Sequence, residues 1–451
     1  MSELDKFFNP KSVAIIGASH TPGKIGYAIL ESMKMSFNGK IYPINPNISE
    51  IMGLKTYSSV LDIEDQIDLA IIVVKSEIVA SVLEECGKKK IRNVIIISSG
   101  FSEIGNKKGE DELLNIAKRY KIRIIGPNCI GIYKRNLDML FMPREKLKRP
   151  LDGYLSLITQ SGAFGSAILD FCAYNGIGVS KFISIGNRID VNEIELLEYL
   201  NKDVQTRAIG IYLESTVDGK KFIETAKTVV KNKPIVIFKA GKTKKGTEAV
   251  ASHTGALAGE YSLYQAAFKQ AGIIEAKNVE QLIDFTNILA KQPPLQDNKI
   301  AIITDGGGFG IAAADAAINA GLSLPEPSPI LSNKLKNILP PYASIKNPID
   351  LTGDATSERY ANTLDVILSS KEYSGVLIIA LLQISTLDES IITVIEEAKK
   401  YGKPISVCMA GGAWTHERAV KLELSGIPVY PTPERAAEAL AILIKNKLPL
   451  L

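Results

Sequence analysis

The sequence contains few of the residue types on which several classes of protein depend. Only four of its 451 residues are cysteine, three are histidine and one is tryptophan. The cysteines lie far apart and form no CxxC pair: Cys86, Cys129, Cys172 and Cys408. This spacing argues against a disulfide scaffold or a zinc ribbon, so we expect no metal site and a reducing, cytoplasmic location.

The sequence also has nearly equal numbers of basic and acidic residues. The 53 basic and 49 acidic residues leave a net charge of +4, which is too small for a protein that binds nucleic acid through bulk charge. The chain opens MSELDKFFNP without an apolar signal region, and its most apolar stretch, 375–387, is too short to span a bilayer. We therefore expect neither nucleic acid nor a membrane among its partners.

The composition that is present, 46% hydrophobic and 23% charged, is that of a globular protein. At roughly 150 residues per domain, the length predicts about three domains. Runs that are apolar at almost every position alternate with glycine turns and helix-period segments: SVAIIG (12–17), DLAIIVV (68–74), NVIIIS (93–98) and IRIIG (122–126). Such runs predict parallel sheets buried on both faces, and hence doubly wound α/β domains.

Two later parts of the chain resemble each other. LITQSGAFGSAILD (157–170) matches IITDGGGFGIAAAD (302–315), and KPIVIFKAG (233–241) matches KPISVCMAG (403–411). The first pair is offset by 145 residues and the second by 170, and a proline-rich insertion at 324–342 accounts for the difference. We interpret this as duplication of a whole domain, the alternative being chance similarity between two α/β units. Polar segments at 142–152 and 291–298 are predicted to link the units.

The first glycine-rich turn, VAIIGASHTPGKIGYAIL (13–30), has the strand–glycine–helix layout that presents backbone N–H groups to a phosphate. Its glycines are too widely spaced for the GxGxxG fingerprint, and IYPINPN (41–47) offers no carboxylate for a ribose hydroxyl. An NAD-dependent dehydrogenase is therefore disfavoured, whereas a phosphate-rich nucleotide such as coenzyme A (CoA) remains compatible.

The duplicated turns are the second candidate phosphate site. Ser161, Gly162 and Ala163 open one helix, and Gly306, Gly307 and Gly308 open the other. Each turn exposes N–H groups and the positive end of a helix dipole, so two copies could direct two helix ends at one anion. The alternative is that these glycines only permit tight turns between strand and helix.

A histidine and a carboxylate are the candidate reactive groups. His253 lies among small residues in AVASHTGALAGE (249–260), an open setting that suits a nucleophile, although a loop histidine without a role is the alternative. Glu214 ends the predicted strand AIGIYLE (208–214), where it could fix one ring nitrogen and leave the other free to attack phosphorus. His20 and His416 are interpreted as surface residues.

Seven motifs then occur in order along essentially the whole chain: NPKSVAIIGAS (9–19), GPNCIGI (126–132), TQSGAFG (159–165), IGNRIDV (185–191), ASHTGALAG (251–259), TDGGGFG (304–310) and NPIDLTGDAT (347–356). Together they resemble the α subunit of the nucleoside-diphosphate-forming acyl-CoA synthetases, relatives of succinyl-CoA synthetase. The resemblance implies a Rossmann-like CoA-binding domain (1–135) followed by two flavodoxin-like domains (150–292 and 298–451).

The same resemblance implies roles for residues. His253 would be the phosphorylated histidine, Glu214 its orienting carboxylate, and the two duplicated turns the cradle of the phosphohistidine. The implied CoA contacts are Gly17, Ala18, Ser19, Gly23, Lys24, Asn45, Pro46, Val73, Ser98, Ser99, Asn128 and Cys129. Succinyl-specific relatives carry a tyrosine where this sequence has Ser166, so succinate is not assumed.

The family reaction interconverts acyl-CoA, ADP and phosphate with a carboxylic acid, CoA and ATP. No segment of the sequence resembles the family's ATP-grasp domain, so an ATP-grasp β subunit in an α2β2 heterotetramer is expected to bind ADP or ATP with Mg²⁺. The resemblance thus predicts the α subunit of an ADP-forming ligase of the acetate type. The alternative is a non-catalytic CoA or acyl-CoA sensor of the same fold, which would need neither His253 nor Glu214.

Overall fold

The computed structural model describes residues 3–254 and 260–444, and for 251–254 it describes the backbone alone. Strands and helices alternate through these residues, as the apolar runs predict. The chain separates into two compact units, the first formed by Met1–Ala173 with Val179–Ala276 and the second by Tyr174–Gly178 with Lys277–Leu451. No helix within the described residues is both long and apolar enough to cross a membrane.

The first sheet of unit 1 is parallel and has the strand order β2-β1-β5-β6-β7. Its strands are fully or largely buried, because helices cover both faces. A two-stranded ribbon, β3 and β4, and two 3₁₀ turns, Val60–Asp62 and Ser102–Ile104, lie outside this sheet. The elements are α1 (Asp5–Phe8), β1 (Ser12–Ile16), α2 (Ile25–Ser36), β2 (Lys40–Ile44), β3 (Glu50–Ile51), β4 (Leu54–Lys55), β5 (Leu69–Ile72), α3 (Ser76–Lys88), β6 (Asn93–Ile96), α4 (Lys107–Tyr120) and β7 (Arg123–Ile125).

The second sheet of unit 1 has the order β14-β13-β12-β10-β11-β8-β9. Five of these strands are parallel, and the hairpin β8–β9 joins the edge strand β11 in antiparallel fashion. The elements are β8 (Ile132–Lys134), β9 (Leu137–Asp138), β10 (Leu155–Thr159), α5 (Gly162–Tyr174), β11 (Val179–Ser184), α6 (Glu193–Lys202), β12 (Ala208–Leu213), α7 (Gly219–Val229), β13 (Ile235–Lys239), α8 (Lys244–Thr254), α9 (Tyr261–Ala271) and β14 (Ile274–Ala276).

Unit 2 contains one parallel sheet with the order β16-β15-β17-β18-β19. The proline-rich insertion predicted at 324–342 contains the helix α12. The elements are α10 (Val279–Lys291), β15 (Ile300–Thr304), α11 (Gly307–Asn319), α12 (Pro329–Ile338), β16 (Ile349–Asp350), α13 (Ser357–Ser369), β17 (Gly375–Ile379), α14 (Ser390–Glu397), a 3₁₀ turn (Ala398–Tyr401), β18 (Ile405–Cys408), α15 (Ala413–Leu424), β19 (Val429–Tyr430) and α16 (Pro433–Ile442).

All three sheets share one topology. When the parallel strands of each sheet are numbered in chain order, every sheet reads 2-1-3-4-5, the flavodoxin order. The predicted α/β class is confirmed, and the second and third sheets have the same strand order as the first. Ligands of such sheets bind beyond the carboxyl ends of the strands, where the strand order reverses. The domain boundaries at 135, 150, 292 and 298 stay predictions.

Candidate functional site

The first sheet reverses its strand order between β1 and β5, and a glycine lies at this point. Gly17 follows β1 with a φ of +95°, and a Cβ placed on it would lie 2.3 Å from the carbonyl oxygen of Val73, which follows β5. A Cβ on Gly26, in the first turn of α2, would lie 2.0 Å from the Gly17 carbonyl oxygen. Only glycine permits this approach, so the turn holds the N-terminus of α2 against the strand ends.

The predicted CoA contacts all fall at the carboxyl ends of this sheet's strands. The side-chain amide of Asn45, after β2, donates to the carbonyl of Ala18 at 2.8 Å and so ties two of the strand ends together. Ser98, after β6, donates to the Val74 carbonyl at 2.6 Å and accepts its N–H at 3.2 Å. The remaining predicted contacts at this edge include exposed residues that a ligand can reach: Gly23, Lys24, Pro46 and Ser99.

Asn128 and Cys129 follow β7 and complete this edge. Asn128 has a left-handed φ of +56°, and its N–H donates to the Ser98 carbonyl at 3.0 Å. The Cys129 thiol is buried and donates to the Ile96 carbonyl at 3.4 Å. Burial raises the pKa of this thiol to about 12, so Cys129 is a neutral thiol and not a nucleophile at neutral pH.

Glu214 lies at the point where the second sheet reverses its order, between β10 and β12. Its side chain is buried, and its backbone N–H donates to Oε1 of Gln160 at 2.6 Å. The same oxygen accepts the Ser215 N–H at 3.1 Å, while Nε2 of Gln160 donates to the Ser215 carbonyl at 2.8 Å. The buried amide of Gln160 therefore fixes the backbone that carries Glu214.

Two further side chains hold the same segment. Nζ of Lys239, the last residue of β13, donates to the Glu214 carbonyl at 2.7 Å. The guanidinium of Arg188 donates to Oγ of Ser215 at 2.6 Å, also donates to the Ser215 carbonyl, and pairs with Glu193 at 3.2 Å. Sequence reasoning missed Gln160, Arg188 and Lys239. Arg188 lies in the motif IGNRIDV, and Lys239 is one of the positions at which KPIVIFKAG differs from KPISVCMAG.

The two duplicated turns have the same local structure. Thr159 accepts the Ser161 N–H at 3.1 Å and donates to the Ser161 carbonyl at 2.8 Å, and α5 begins at the next residue. Thr304 makes the matching bonds with Gly306, both at 3.0 Å, and α11 begins at Gly307. The predicted helix starts are confirmed, and Ala163, Gly307 and Gly308 are exposed in the first turns.

The three histidines differ in how the structure describes them. The backbone of His253 lies in α8, which packs against the 3₁₀ turn Ser102–Ile104 after β6, but its side chain lies outside the described residues. His20 is exposed, as expected. His416 is also partly exposed, as expected of a surface residue, and its ring stacks on Tyr174 with 4.2 Å between ring centres. The part of the chain with described side chains contains no cluster of metal-ligating groups.

Three protein-family models match the chain in succession. A CoA binding domain matches residues 11–135, a succinyl-CoA ligase like flavodoxin domain matches 152–289, and a ligase-CoA domain matches 300–445. The first of these covers the edge at which the predicted CoA contacts lie. The second covers Gln160, Glu214 and Lys239.

Curated proteins resemble the chain over nearly its whole length. It is 46% identical to the ADP-forming acetate–CoA ligase of Methanocaldococcus jannaschii over 99% of the chain, but it spans only 64% of that protein. It is 42% identical to the α subunit of ADP-forming acetate–CoA ligase I of Pyrococcus furiosus, covering 98% of the chain and 97% of the subunit.

A solved structure agrees with these similarities. Acetyl-coenzyme A synthetase 1 of Ca. Korarchaeum cryptofilum, solved in complex with phosphate and ADP, superposes with a TM-score of 0.92 at 38% identity. The match covers 98% of this chain and 96% of the solved one.

Proposed function

This chain belongs to the family of ADP-forming acyl-CoA ligases, and on that premise we propose that it is the α component of such a ligase acting on acetate or a similar small acid. It would interconvert acyl-CoA, ADP and phosphate with the free acid, CoA and ATP. Family membership favours this enzymatic function over the non-catalytic CoA sensor.

The proposed chemistry consists of three transfers. A phosphate oxygen attacks the thioester carbonyl, the C–S bond breaks, and CoA leaves as a thiolate that takes up a proton. A ring nitrogen of His253 then attacks phosphorus, the bond from phosphorus to the acyl oxygen breaks, and the carboxylate is released. Finally an oxygen of the ADP β-phosphate attacks the phosphohistidine, and the P–N bond breaks to give ATP. A covalent intermediate divides one difficult transfer into easier steps.

The first sheet is the proposed CoA site. Support comes from the glycine turn at the reversal point of its strand order and from the exposed Lys24, which can place a positive charge near phosphate. The predicted contacts follow five neighbouring strands, so one extended ligand can reach residues from each. The N-terminus of α2 adds the positive end of a helix dipole.

The observation that carries the proposal is the position of Glu214. It is a buried carboxylate at the reversal point of the second sheet, and three side chains fix the segment that bears it. Such a carboxylate can hold one nitrogen of a histidine ring and leave the other as the nucleophile. The helix starts at Ser161–Ala163 and Gly306–Gly308 are the proposed phosphate contacts, since their N–H groups can stabilise a phosphoryl dianion.

The nucleotide is proposed to bind on a partner. The relatives named α subunits in Pyrococcus furiosus support a partner subunit. We propose that this partner is an ATP-grasp β subunit that holds ADP or ATP with Mg²⁺, in an α2β2 assembly. For the acid, Ser166 in α5 donates to the Ala163 carbonyl at 2.9 Å and offers no aromatic group. Succinate is therefore not assumed, and the relatives named acetate–CoA ligases support acetate as the acid.

The test is reconstitution with a matching ATP-grasp subunit, supplied with acetyl-CoA, ADP and phosphate. The proposal expects ATP and acetate to form in equal amounts, and formation to stop when CoA thioester or phosphate is left out. A complex that binds acetyl-CoA but makes no ATP from any small acyl-CoA contradicts it and favours the sensor.

A further inference from the structure

Lys239 is a fully buried lysine that the proposed chemistry does not use. Its relative exposure is 0%, and its Nζ donates to the backbone carbonyls of Glu214 and Ala240. The ammonium also lies 4.5 Å from the ring centre of Tyr264 in α9, a cation–π contact. Burial of an ammonium is costly unless something compensates for it, so this position needs an explanation.

The duplicated sheet of unit 2 supplies a comparison from within the same chain. Asp305 follows β15 as Gln160 follows β10, and its carboxylate accepts the backbone N–H of Leu381 at 2.9 Å. Leu381 therefore occupies the place of Glu214. Strands β13 and β18 both begin at the isoleucine of a KPI sequence, and the residue four positions later is Lys239 in one and Met409 in the other.

The second copy thus keeps the backbone bond but replaces both charged residues by apolar ones. Glu214 and Lys239 in the second sheet correspond to Leu381 and Met409 in the third. The fold tolerates a leucine and a methionine at these places, so it does not itself require charged residues at the positions of Glu214 and Lys239. The lysine is present in the copy that carries the candidate catalytic carboxylate.

A second buried lysine, Lys233, is retained in both copies and serves as the example of a lysine that the fold requires. Nζ of Lys233, just before β13, donates to the Leu200 carbonyl at 2.6 Å and also to that of Asp203. Its counterpart Lys403 donates to the Tyr373 carbonyl at 2.6 Å and to that of Ser370. Both copies retain this lysine with the same kind of bonds, as expected for a residue that the fold requires.

We propose that Lys239 is a positioning residue for phosphoryl transfer: its buried ammonium keeps the Glu214 carboxylate ionised and fixes its backbone, so that Glu214 can hold the ring of His253. The proposal rests on the proposed function. A buried carboxylate tends to take up a proton, and a carboxyl group that did so would no longer accept a hydrogen bond in the same way. The Lys239 ammonium, bonded to the backbone carbonyl of the same residue, interacts electrostatically with the carboxylate and opposes that protonation.

The groups around Lys239 set the pH range in which it carries this charge. Burial lowers the pKa of Lys239 to about 8, Glu214 acts against the shift, and Lys242, in the loop after β13, adds to it. Tyr264 faces the ammonium from α9, and Tyr212, on β12, has its own pKa raised by burial and by Glu214. Lys239 is therefore charged at neutral pH and loses its proton in mildly alkaline solution.

The test uses the full chain and radiolabelled acetyl phosphate, which delivers a phosphoryl group without a partner subunit. Lys239→Met introduces the residue of the second copy, and Lys233→Met is the matched control at an equally buried lysine. We expect Lys239→Met to slow labelling of His253 by about ten-fold or more, because it removes the bond to the Glu214 carbonyl and the positive charge that acts on the carboxylate. We expect Lys233→Met to lower the melting temperature but to change labelling by less than about two-fold.

One further readout, the pH profile, separates positioning from a purely structural role, and a double variant tests whether Lys239 and Glu214 act on each other. The wild-type labelling rate should fall as the pH rises through about 8, and Lys239→Met should lack this fall. The double variant Glu214→Leu with Lys239→Met recreates the pair of the second copy, so it should recover the stability that Lys239→Met loses. This second test applies even if Lys239→Met alone folds poorly.

The possible failures are distinguishable. If wild-type His253 takes no label, the proposed function fails and the role of Lys239 fails with it. If wild-type His253 is labelled, and Lys239→Met matches it in rate and in pH profile, only the role of Lys239 is overturned.

Discussion

The backbone N–H of Glu214 lies 2.6 Å from Oε1 of Gln160, and this bond joins the ends of β12 and β10 where the second sheet reverses its strand order. Gln160 is buried and uses both ends of its amide on the segment of Glu214 and Ser215. The candidate carboxylate is therefore held by its backbone, and its charge can be altered without removing the bonds that fix it.

Glu214→Gln is expected to slow phosphorylation while leaving the fold intact. The amide has nearly the same shape and the backbone bonds remain, but a neutral group no longer stabilises a histidine ring that gains charge. We expect the labelling rate from acetyl phosphate to fall by up to about 10⁴-fold, the loss seen when the carboxylate that orients a catalytic histidine is neutralised. An unchanged melting temperature is the control, and an unchanged labelling rate would show that Glu214 does not act on the histidine.

Lys24→Ala is expected to weaken CoA binding. Lys24 is exposed at the N-terminus of α2, and the loss of one charge-assisted hydrogen bond of about 1.4 kcal/mol corresponds to about a ten-fold rise in Kd. Calorimetry on the full chain measures this, with Lys107→Ala on α4 as an exposed control. Equal affinities in the two variants, or tight binding of NAD by the wild type, would reject the assignment of this edge to CoA.

Gly308→Val is expected to reduce phosphorylation but not CoA affinity. A Cβ at Gly308 meets no atom within 4 Å, so the fold accommodates it, while the valine covers N–H groups in the first turn of α11. Gly412, at the start of α15, has equal space and serves as the control. Labelling should fall by about ten-fold in Gly308→Val alone, the effect of losing one charge-assisted hydrogen bond. The same loss in Gly412→Val would indicate a general effect on the unit.

Asp305 predicts a pH dependence of stability. Burial raises the pKa of its carboxyl from 3.8 to about 6, and the N–H of Leu381 opposes this shift. Between pH 3.8 and about 6 the Asp305 carboxyl is protonated in the folded state but ionised in the unfolded state. The free energy of unfolding therefore falls as the pH rises through this range. Asp305→Asn keeps an acceptor for the Leu381 N–H and removes the titration. Melting temperatures of the two proteins are measured across that pH range. They should converge at the acidic end, because protonated Asp305 is neutral like asparagine.

Much of the fold could be predicted from the sequence because parallel strands buried on both faces are apolar at nearly every position. The runs at 12–17 and 93–98 contain β1 and β6 as expected. The position of Glu214 followed from the rule that ligands bind beyond strand ends. The hairpin β8–β9 could not be assigned, because nothing in its sequence says that it joins the second sheet and not the first.

The missed residues depend on contacts that only the folded chain reveals. Lys239 ends an apolar run, and its role arises from the register that places it beside Leu213, next to Glu214. Gln160 looked like part of a glycine turn, but its amide reaches 54 residues along the chain. For Lys239 the sequence nevertheless contained a signal, its replacement by Met409 between the two copies.

The proposed mechanism is tested most sharply by locating the residue that receives the phosphoryl group. Wild-type chain and His253→Ala are incubated with radiolabelled acetyl phosphate, and separately with labelled ATP and the ATP-grasp subunit, and the modified residue is located by mass spectrometry. The proposed mechanism predicts one acid-labile, alkali-stable phosphate on His253 in the wild type, and none in His253→Ala, which still binds CoA. Equal acid-labile labelling of His253→Ala would place the nucleophile elsewhere and contradict the proposed mechanism.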